Sequence, residues 1–197
     1  MDPFQNTGQP DWDWWGRLWP TPADTLRRLG VGTGDRFAEV GCGNGYFALP
    51  AARLTAPAET YAVDLEESLL TELEHLADLQ DIDNVVPIHA DARDLTDAIG
   101  TTVDTLLVAN TFHGVDAPER FVREAADALA PDGRFVVVNW HDRPRESTTV
   151  LGEPRGPPTR LRLSPAETVE IVTEASSFSL ATRRELPPYH YAVTFDR

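Results

Sequence analysis

Apolar runs bounded by turn residues recur along the chain at Arg36 to Val40, Thr60 to Val63, Val85 to Ile88, Val103 to Ala109 and Arg134 to Trp140. The last two are continuous enough for strands buried on both faces. Helical periods lie between them. Leu69, Leu73, Leu76 and Leu79 are predicted to share one helix face, and Phe121, Ala125 and Leu129 another, on a helix that Pro118 opens. An earlier helix starts at Thr21-Pro22-Ala23-Asp24, carries Leu26 and Leu29 on its apolar side and stops at Gly30. Strands alternating with helices predict right-handed crossovers and a mostly parallel sheet.

The last third changes character. Residues 141–163 are rich in proline, glycine and arginine with little apolar period, which predicts a long loop leaving the carboxyl end of the fifth strand. Ser164-Pro165-Ala166-Glu167 reads as a capping box opening a helix whose Ile171, Ala175 and Phe178 face the sheet. Leu180 to Leu186 and Tyr189 to Phe195 then read as antiparallel strands closing the sheet edge. The expected architecture is α/β: a doubly wound, Rossmann-like, seven-stranded, mostly parallel sheet with helices on both faces and an antiparallel carboxyl-terminal hairpin. It forms a single domain over residues 21–197. Residues 1–20, with Trp12, Trp14, Trp15 and Trp19, read as an extension or lid, neither a strand nor a long helix.

Composition narrows the setting. At 197 residues the chain can bury a full core, and its single cysteine, Cys42, excludes a disulfide framework and a cysteine-based zinc site. Met1-Asp2-Pro3-Phe4 lacks the features of a secretory signal and no stretch is long and apolar enough to span a bilayer, so a cytoplasmic protein is expected. Acidic residues number 32 against 17 basic ones, all arginine, for a formal net charge of -15. Such a surface repels phosphate backbones and anionic membranes. It also matches the habit of salt-loving cytoplasm, and GC-rich codon usage would likewise replace lysine by arginine.

The chemistry centres on Glu39-Val40-Gly41-Cys42-Gly43-Asn44-Gly45, at the end of the first predicted strand, with the next helix expected near Asn44. Glycines there make a tight turn that lets backbone N–H groups approach a ligand. A dinucleotide fingerprint needs its third glycine at position 46, which is Tyr46, and a P-loop needs a lysine, which the chain lacks. Asp64 ends the second strand, where a carboxylate can accept from both hydroxyls of an adenosine ribose. Asp91 follows the third strand, placed for an adenine amine, and Asn110 ends the fourth. With no phosphate-binding cation beside them, these side chains suit a positively charged cofactor. Cys42 is simplest as a small residue fitting the turn, and either aspartate could merely cap a helix. No His, Asp and Glu set has metal-ligand spacing, so no metal is expected.

On these motifs the sequence resembles the class I S-adenosylmethionine-dependent methyltransferases from Asp35 to Phe195. Glu39 to Gly45 is similar to the family's first motif, Asp91-Ala92 to its adenine-side motif, Asp104 to His113 to its fourth-strand motif and Leu129 to Phe135 to the turn before its fifth strand. Gly156-Pro157-Pro158, Leu163-Ser164-Pro165 and Leu186 to Tyr191 look most like the small-molecule ubiquinone and menaquinone C-methylases. The resemblance implies S-adenosylmethionine as cofactor, leaving as S-adenosylhomocysteine. It assigns Glu39 to the methionine amino group and the Gly41 and Gly43 backbone to the methionyl and ribose portion. Asp64 falls to the ribose, Leu65 to the adenine face and Asp91 with Ala92 to the adenine edge, with Cys42 and Asn110 completing the cofactor set.

Methyl transfer needs a positioned nucleophile and a base only if that nucleophile arrives protonated. His113 and His141, just beyond the fourth and fifth strands, are the candidate proton acceptors, with His113 preferred; each taken singly is more simply read as bonding a loop carbonyl. Trp14 and Trp15 are candidates for an apolar lid over the substrate or for staples of the extension. Arg143, Arg145, Arg155, Arg160 and Arg162 are read as balancing the acidic surface in preference to binding an anionic substrate. The expected function is methyl transfer to a small-molecule acceptor, with a homodimer left open and no nucleic-acid partner. A cofactor-binding sensor or partner subunit without turnover is the alternative, and a nicotinamide-dependent oxidoreductase, disfavoured by Tyr46, stands behind it.

Overall fold

The computed structural model describes Phe4, Gln5 and residues 7–197; residues 1–3 and Asn6 of the extension lie outside the described residues. After residues 7–11, which form no regular element, comes α1 (Trp12–Leu18), a helix of 7 residues that buries Trp14, Trp15 and Leu18. Then α2 (Pro22–Arg28) begins on its proline, with Leu26 and Leu29 buried as the pattern predicts.

The alternating segment follows. It runs β1 (Phe37–Val40), α3 (Ala48–Thr55), β2 (Thr60–Asp64), α4 (Glu67–Leu79), β3 (Val85–His89), α5 (Leu95–Ile99), β4 (Val103–Ala109), α6 (Pro118–Ala128) and β5 (Leu129–Trp140). A small hairpin, β6 (Thr149–Val150) with β7 (Glu153–Pro154), sits within the long loop, and α7 (Pro165–Ala175), β8 (Ser179–Leu186) and β9 (His190–Asp196) complete the chain. Helix α7 starts at the capping box read from sequence: the Glu167 N–H donates to Ser164 Oγ, and the Ser164 N–H donates back to the Glu167 carboxylate.

The sheet has 7 strands in the order β3-β2-β1-β4-β5-β9-β8. Pairs β1–β2, β1–β4, β2–β3 and β4–β5 are parallel, whereas β5–β9 and β8–β9 are antiparallel. This is the expected Rossmann-like architecture with its hairpin edge. Strand order reverses between β1 and β4, so the crevice beyond their carboxyl ends is where a doubly wound sheet receives a ligand. Register makes that edge nearly level: Val40 lies opposite both Val63 and Val108, so Gly41, Asp64 and Ala109 follow side by side and Asn110 comes one residue later.

Packing explains both faces. Over one face Phe135 stacks on Phe178 and Phe195 at ring distances of 5.4 and 6.1 Å, with Phe112 and Phe121 edge-on or tilted beside them. Each of these rings is buried, a contribution of about 1.5–3 kcal/mol apiece. Over the other face α1 and α2 pack Trp14, Trp15, Trp19 and Leu26 against Phe37, Leu107, Val136 and Trp140. The tryptophan extension therefore shares a core with the domain it precedes. Strand β8 is exposed from Ser179 to Glu185, and Arg183, Arg184 and Glu185 blunt that open edge.

Four local expectations need correcting. The buried face of α4 is Leu70, Leu73 and Ala77, while Leu79 is 67% exposed, because the helix ends there beyond the sheet and Ile82 closes the core instead. Leu129 belongs to β5, not to the preceding helix. The presumed turn at Pro131-Asp132-Gly133 is a bulge inside β5, since Val103 pairs with Leu129 and Thr105 with Arg134. The helix after the glycine turn starts at Ala48, with Gly43 to Phe47 forming turns.

Candidate functional site

A cavity of about 860 Å³ opens at the switch point, within the range of small-molecule sites. Glu39, Gly41, Cys42, Gly43, Asp64, Leu65, Asp91, Ala92, Asn110, His113, Trp14 and Trp15 all line it. His141 does not: its Nε2 lies 2.8 Å from the Glu185 carboxylate, on the side of β9, so this expected proton acceptor is outside the cavity.

The glycine turn forms the floor. Gly41 (φ 72°) and Gly43 (φ 55°) adopt the left-handed conformation. A Cβ at Gly41 would lie 2.6 Å from Thr111 Oγ1, and one at Gly43 would run into the Gln9 amide, so each glycine permits a close approach that a side chain would block. The Gly43 N–H donates to Asp64 Oδ2 at 2.7 Å and the Glu66 N–H to Oδ1 at 3.0 Å. Asp64 thus ties β2 to the turn and keeps acceptor sites over, since a carboxylate offers about four. Asp91 caps the short turn after β3 by accepting from the Arg93 N–H, and its other oxygen pairs with the Arg93 guanidinium at 2.7 Å. The helix-cap reading of Asp91 and its place in the cavity wall hold together.

Three polar atoms in this wall stand out. Glu39 Oε2 and both amide atoms of Asn110 are buried without a protein partner. Buried polar groups are nearly always paired, so these mark a place for a ligand. Asn110 also holds φ 59°, a conformation uncommon outside glycine and concentrated at functional sites. Burial, then the neighbouring Asp64 charge, raise the Glu39 carboxyl well above its usual range, against a smaller lowering by the Ala48 N–H. Burial, with Glu39 and Asp64, also pushes the Cys42 thiol up, so it is a poor nucleophile and a tight-turn residue.

The roof is the amino-terminal strap. Phe4 meets Phe121 edge-on, the Gln5 N–H donates to Gly114 O at 3.0 Å, and the Gln9 amide donates to Asn44 Oδ1 at 2.9 Å. Tyr46, where a dinucleotide fold needs glycine, donates its hydroxyl to Trp19 O at 2.7 Å and so fastens α1 to the turn. Sequence reading missed Gln9 and Asn139. Gln9 carries no local signal, its partner being 35 residues away. Asn139 carries one: an amide inside an apolar strand, fully buried, with Oδ1 3.2 Å from His113 Nδ1.

Among the described residues no helix is long and apolar enough to cross a membrane. The chain is 33% identical over 91 residues to the probable cobalt-precorrin-6B C(15)-methyltransferases (decarboxylating) of Methanosarcina acetivorans and Methanosarcina mazei. That match covers 45% of this chain, and the chain spans about half the length of these curated relatives, 50%. A crystal structure of a SAM-dependent methyltransferase from Aquifex aeolicus superposes with TM-score 0.78 at 20% identity over 92% of each chain. The magnesium protoporphyrin IX methyltransferase of Synechocystis with bound SAH gives TM-score 0.65 at 15% identity, covering 94% of this chain and 93% of that one. These likenesses are of fold. Residues 38–137, from β1 through the core of β5 and just over half of the chain, match the family model described as a methyltransferase domain, and the chain belongs to that family.

Proposed function

We propose that the protein transfers the methyl group of S-adenosylmethionine to a small-molecule acceptor. The observation that carries this reading is the partnerless buried carboxylate oxygen of Glu39 beside Asn110, in the cavity floored by the glycine turn. Asp64, with Glu39 ionised against a ligand ammonium, fits a ligand bearing an ammonium and a sulfonium.

In this reading Glu39 takes the methionine ammonium, and the backbone of Gly41, Cys42 and Gly43 packs along the methionyl and ribose portion. Asp64 accepts from the ribose hydroxyls with the lone pairs that Gly43 and Glu66 leave over. Leu65 covers the adenine, and Asp91, Ala92 and Asn110 complete its wall. Bound there, the cofactor supplies a methyl group on a sulfonium leaving group. His113 accepts a proton from an acceptor that arrives protonated, while Trp14 and Trp15 exclude water from the reacting centre. His141, engaged with Glu185, has no part in the proposal.

The finer likeness to ubiquinone and menaquinone C-methylases belongs to the same proposal. It is supported by Gly156 and Pro157 lining the cavity and by Tyr189 stacking on Trp140 at 6.1 Å. Calorimetry with S-adenosylmethionine, S-adenosylhomocysteine and NAD tests the cofactor: binding of the first two is expected, and binding of NAD alone would overturn the reading. Turnover against quinols, phenols, thiols and amines then separates an enzyme from a sensor that only binds.

A further inference from the structure

Two arginines of the long loop, Arg145 and Arg162, converge on the backbone of a third, Arg155, and of its neighbour Gly156. The Arg145 Nε–H donates to Gly156 O at 3.1 Å, and Arg162 Nη2–H donates to the carbonyl of Arg155 itself at 3.0 Å. Among the described residues none of the three forms an ion pair with a carboxylate, although the chain carries 32 acidic residues. Arg162 is buried, satisfied by carbonyls and the Thr148 hydroxyl. Burial, then Arg145, bring its guanidinium down to about 10, with Glu146 offsetting part of this.

Arg145 and Arg155 line the cavity beside Trp14 and Trp140. The Arg155 guanidinium lies over the Trp14 ring at 5.0 Å, and its Nε is buried without a partner. In a strongly acidic chain, leaving like charges unpaired at a cavity wall is unfavourable unless an anion completes them. Arg143 and Arg160 are exposed and off the cavity, so they take no part in the inference, which concerns Arg145 and Arg155.

Position tells which ligand the pair meets. Glu39, Asp64 and Asp91 stand at the ends of β1, β2 and β3, whereas Trp140 ends β5 and the arginines lie beyond it. We infer that the methyl acceptor carries a carboxylate, held by Arg155 and Arg145 on the β5 side of the cavity. This rests on the proposed methyl transfer and names its substrate class.

The test holds the cofactor site constant. Full-length protein saturated with S-adenosylhomocysteine is screened by thermal shift against aliphatic dicarboxylates and hydroxybenzoates, each beside its amide, with hydroquinone as a neutral control. Carboxylates are expected to stabilise and their amides not to. Arg155→Gln and Arg145→Gln should each weaken the best carboxylate roughly tenfold or more, Arg155→Lys less, with S-adenosylhomocysteine affinity unchanged. Amides or hydroquinone stabilising as well as carboxylates, or no carboxylate stabilising at all, would overturn the inference. So would a loss confined to S-adenosylhomocysteine affinity in the variants, which would give the arginines to the cofactor's own carboxylate. Failure of wild-type protein to bind S-adenosylhomocysteine would instead sink the methyl-transfer reading.

Discussion

Nδ1 of His113 lies 3.2 Å from Oδ1 of Asn139, the same oxygen that accepts the backbone N–H of Trp140 at 3.1 Å. The Trp140 donor fixes which end of the amide is oxygen, so His113 must donate from Nδ1, and the lone pair of its neutral ring sits on Nε2. Asn139 is in this sense a positioning residue, and fully buried.

It follows that His113→Gln should lower turnover by about 10²–10⁴-fold on an acceptor that must lose a proton, and should flatten the acid limb of the kcat/KM profile. Asn139→Leu should lower turnover less and shift that limb, because the acceptor that Nδ1 donates to is lost. S-adenosylhomocysteine affinity should stay within about threefold in both. Undiminished turnover in His113→Gln would remove the base role.

Asp64 joins two tasks, holding Gly43 N–H at 2.7 Å and facing the cavity. Asp64→Ala is expected to weaken S-adenosylhomocysteine binding by at least about a hundredfold in calorimetry, since charge-assisted hydrogen bonds and the turn's anchor are lost together. Unchanged affinity would take Asp64 out of the ribose role.

The fold was legible where strands were continuous and buried: Val103 to Ala109 matched its strand residue for residue, and the crevice followed from the order of elements. The cofactor side was legible because Glu39, Asp64, Asp91 and Asn110 end consecutive strands, a local property of sequence. The acceptor side was not. Gln9 over Gly43, Asn139 behind His113 and Arg155 over Trp14 are contacts between segments 26 to 141 residues apart, set by tertiary packing. His141 misled for the same reason: strand-end position predicted the crevice, but the antiparallel neighbour β9 and Glu185 take its ring elsewhere.

Glu39 supplies a proton-linkage prediction. Its folded carboxyl is raised by burial and by Asp64, so the folded state keeps a proton that the unfolded chain releases above the ordinary 4.5. Stability therefore falls as pH rises from there toward the folded value. A ligand ammonium placed against Glu39 favours the ionised form. Binding of S-adenosylhomocysteine should consequently release a proton and tighten as pH rises through the folded titration. 5′-Methylthioadenosine, which lacks the ammonium, should bind without release, as should S-adenosylhomocysteine to Glu39→Gln. Calorimetry in buffers of different ionisation enthalpy reads the proton count directly; equal release with both ligands would place the ammonium away from Glu39.

His190 is expected to make stability sensitive to acid. Its ring is caged by Trp140 at 4.2 Å and Trp19 at 4.6 Å, and its Nε2 is buried without a partner. Burial, then the Arg162 and His141 charges, hold it well below its ordinary 6.5, so the folded protein keeps it neutral. Above that pH neither state binds the proton and His190 is silent. Below it the unfolded chain takes up a proton that the folded one refuses, and stability falls by up to about 1.4 kcal/mol per pH unit until the folded value is reached. His190→Phe keeps an aromatic ring in the cage and removes the titration. Urea unfolding at pH 8, 6.5, 5.5 and 5 should show the wild type losing stability faster than the variant only below 6.5. Parallel losses in the two proteins would assign the acid sensitivity to other groups.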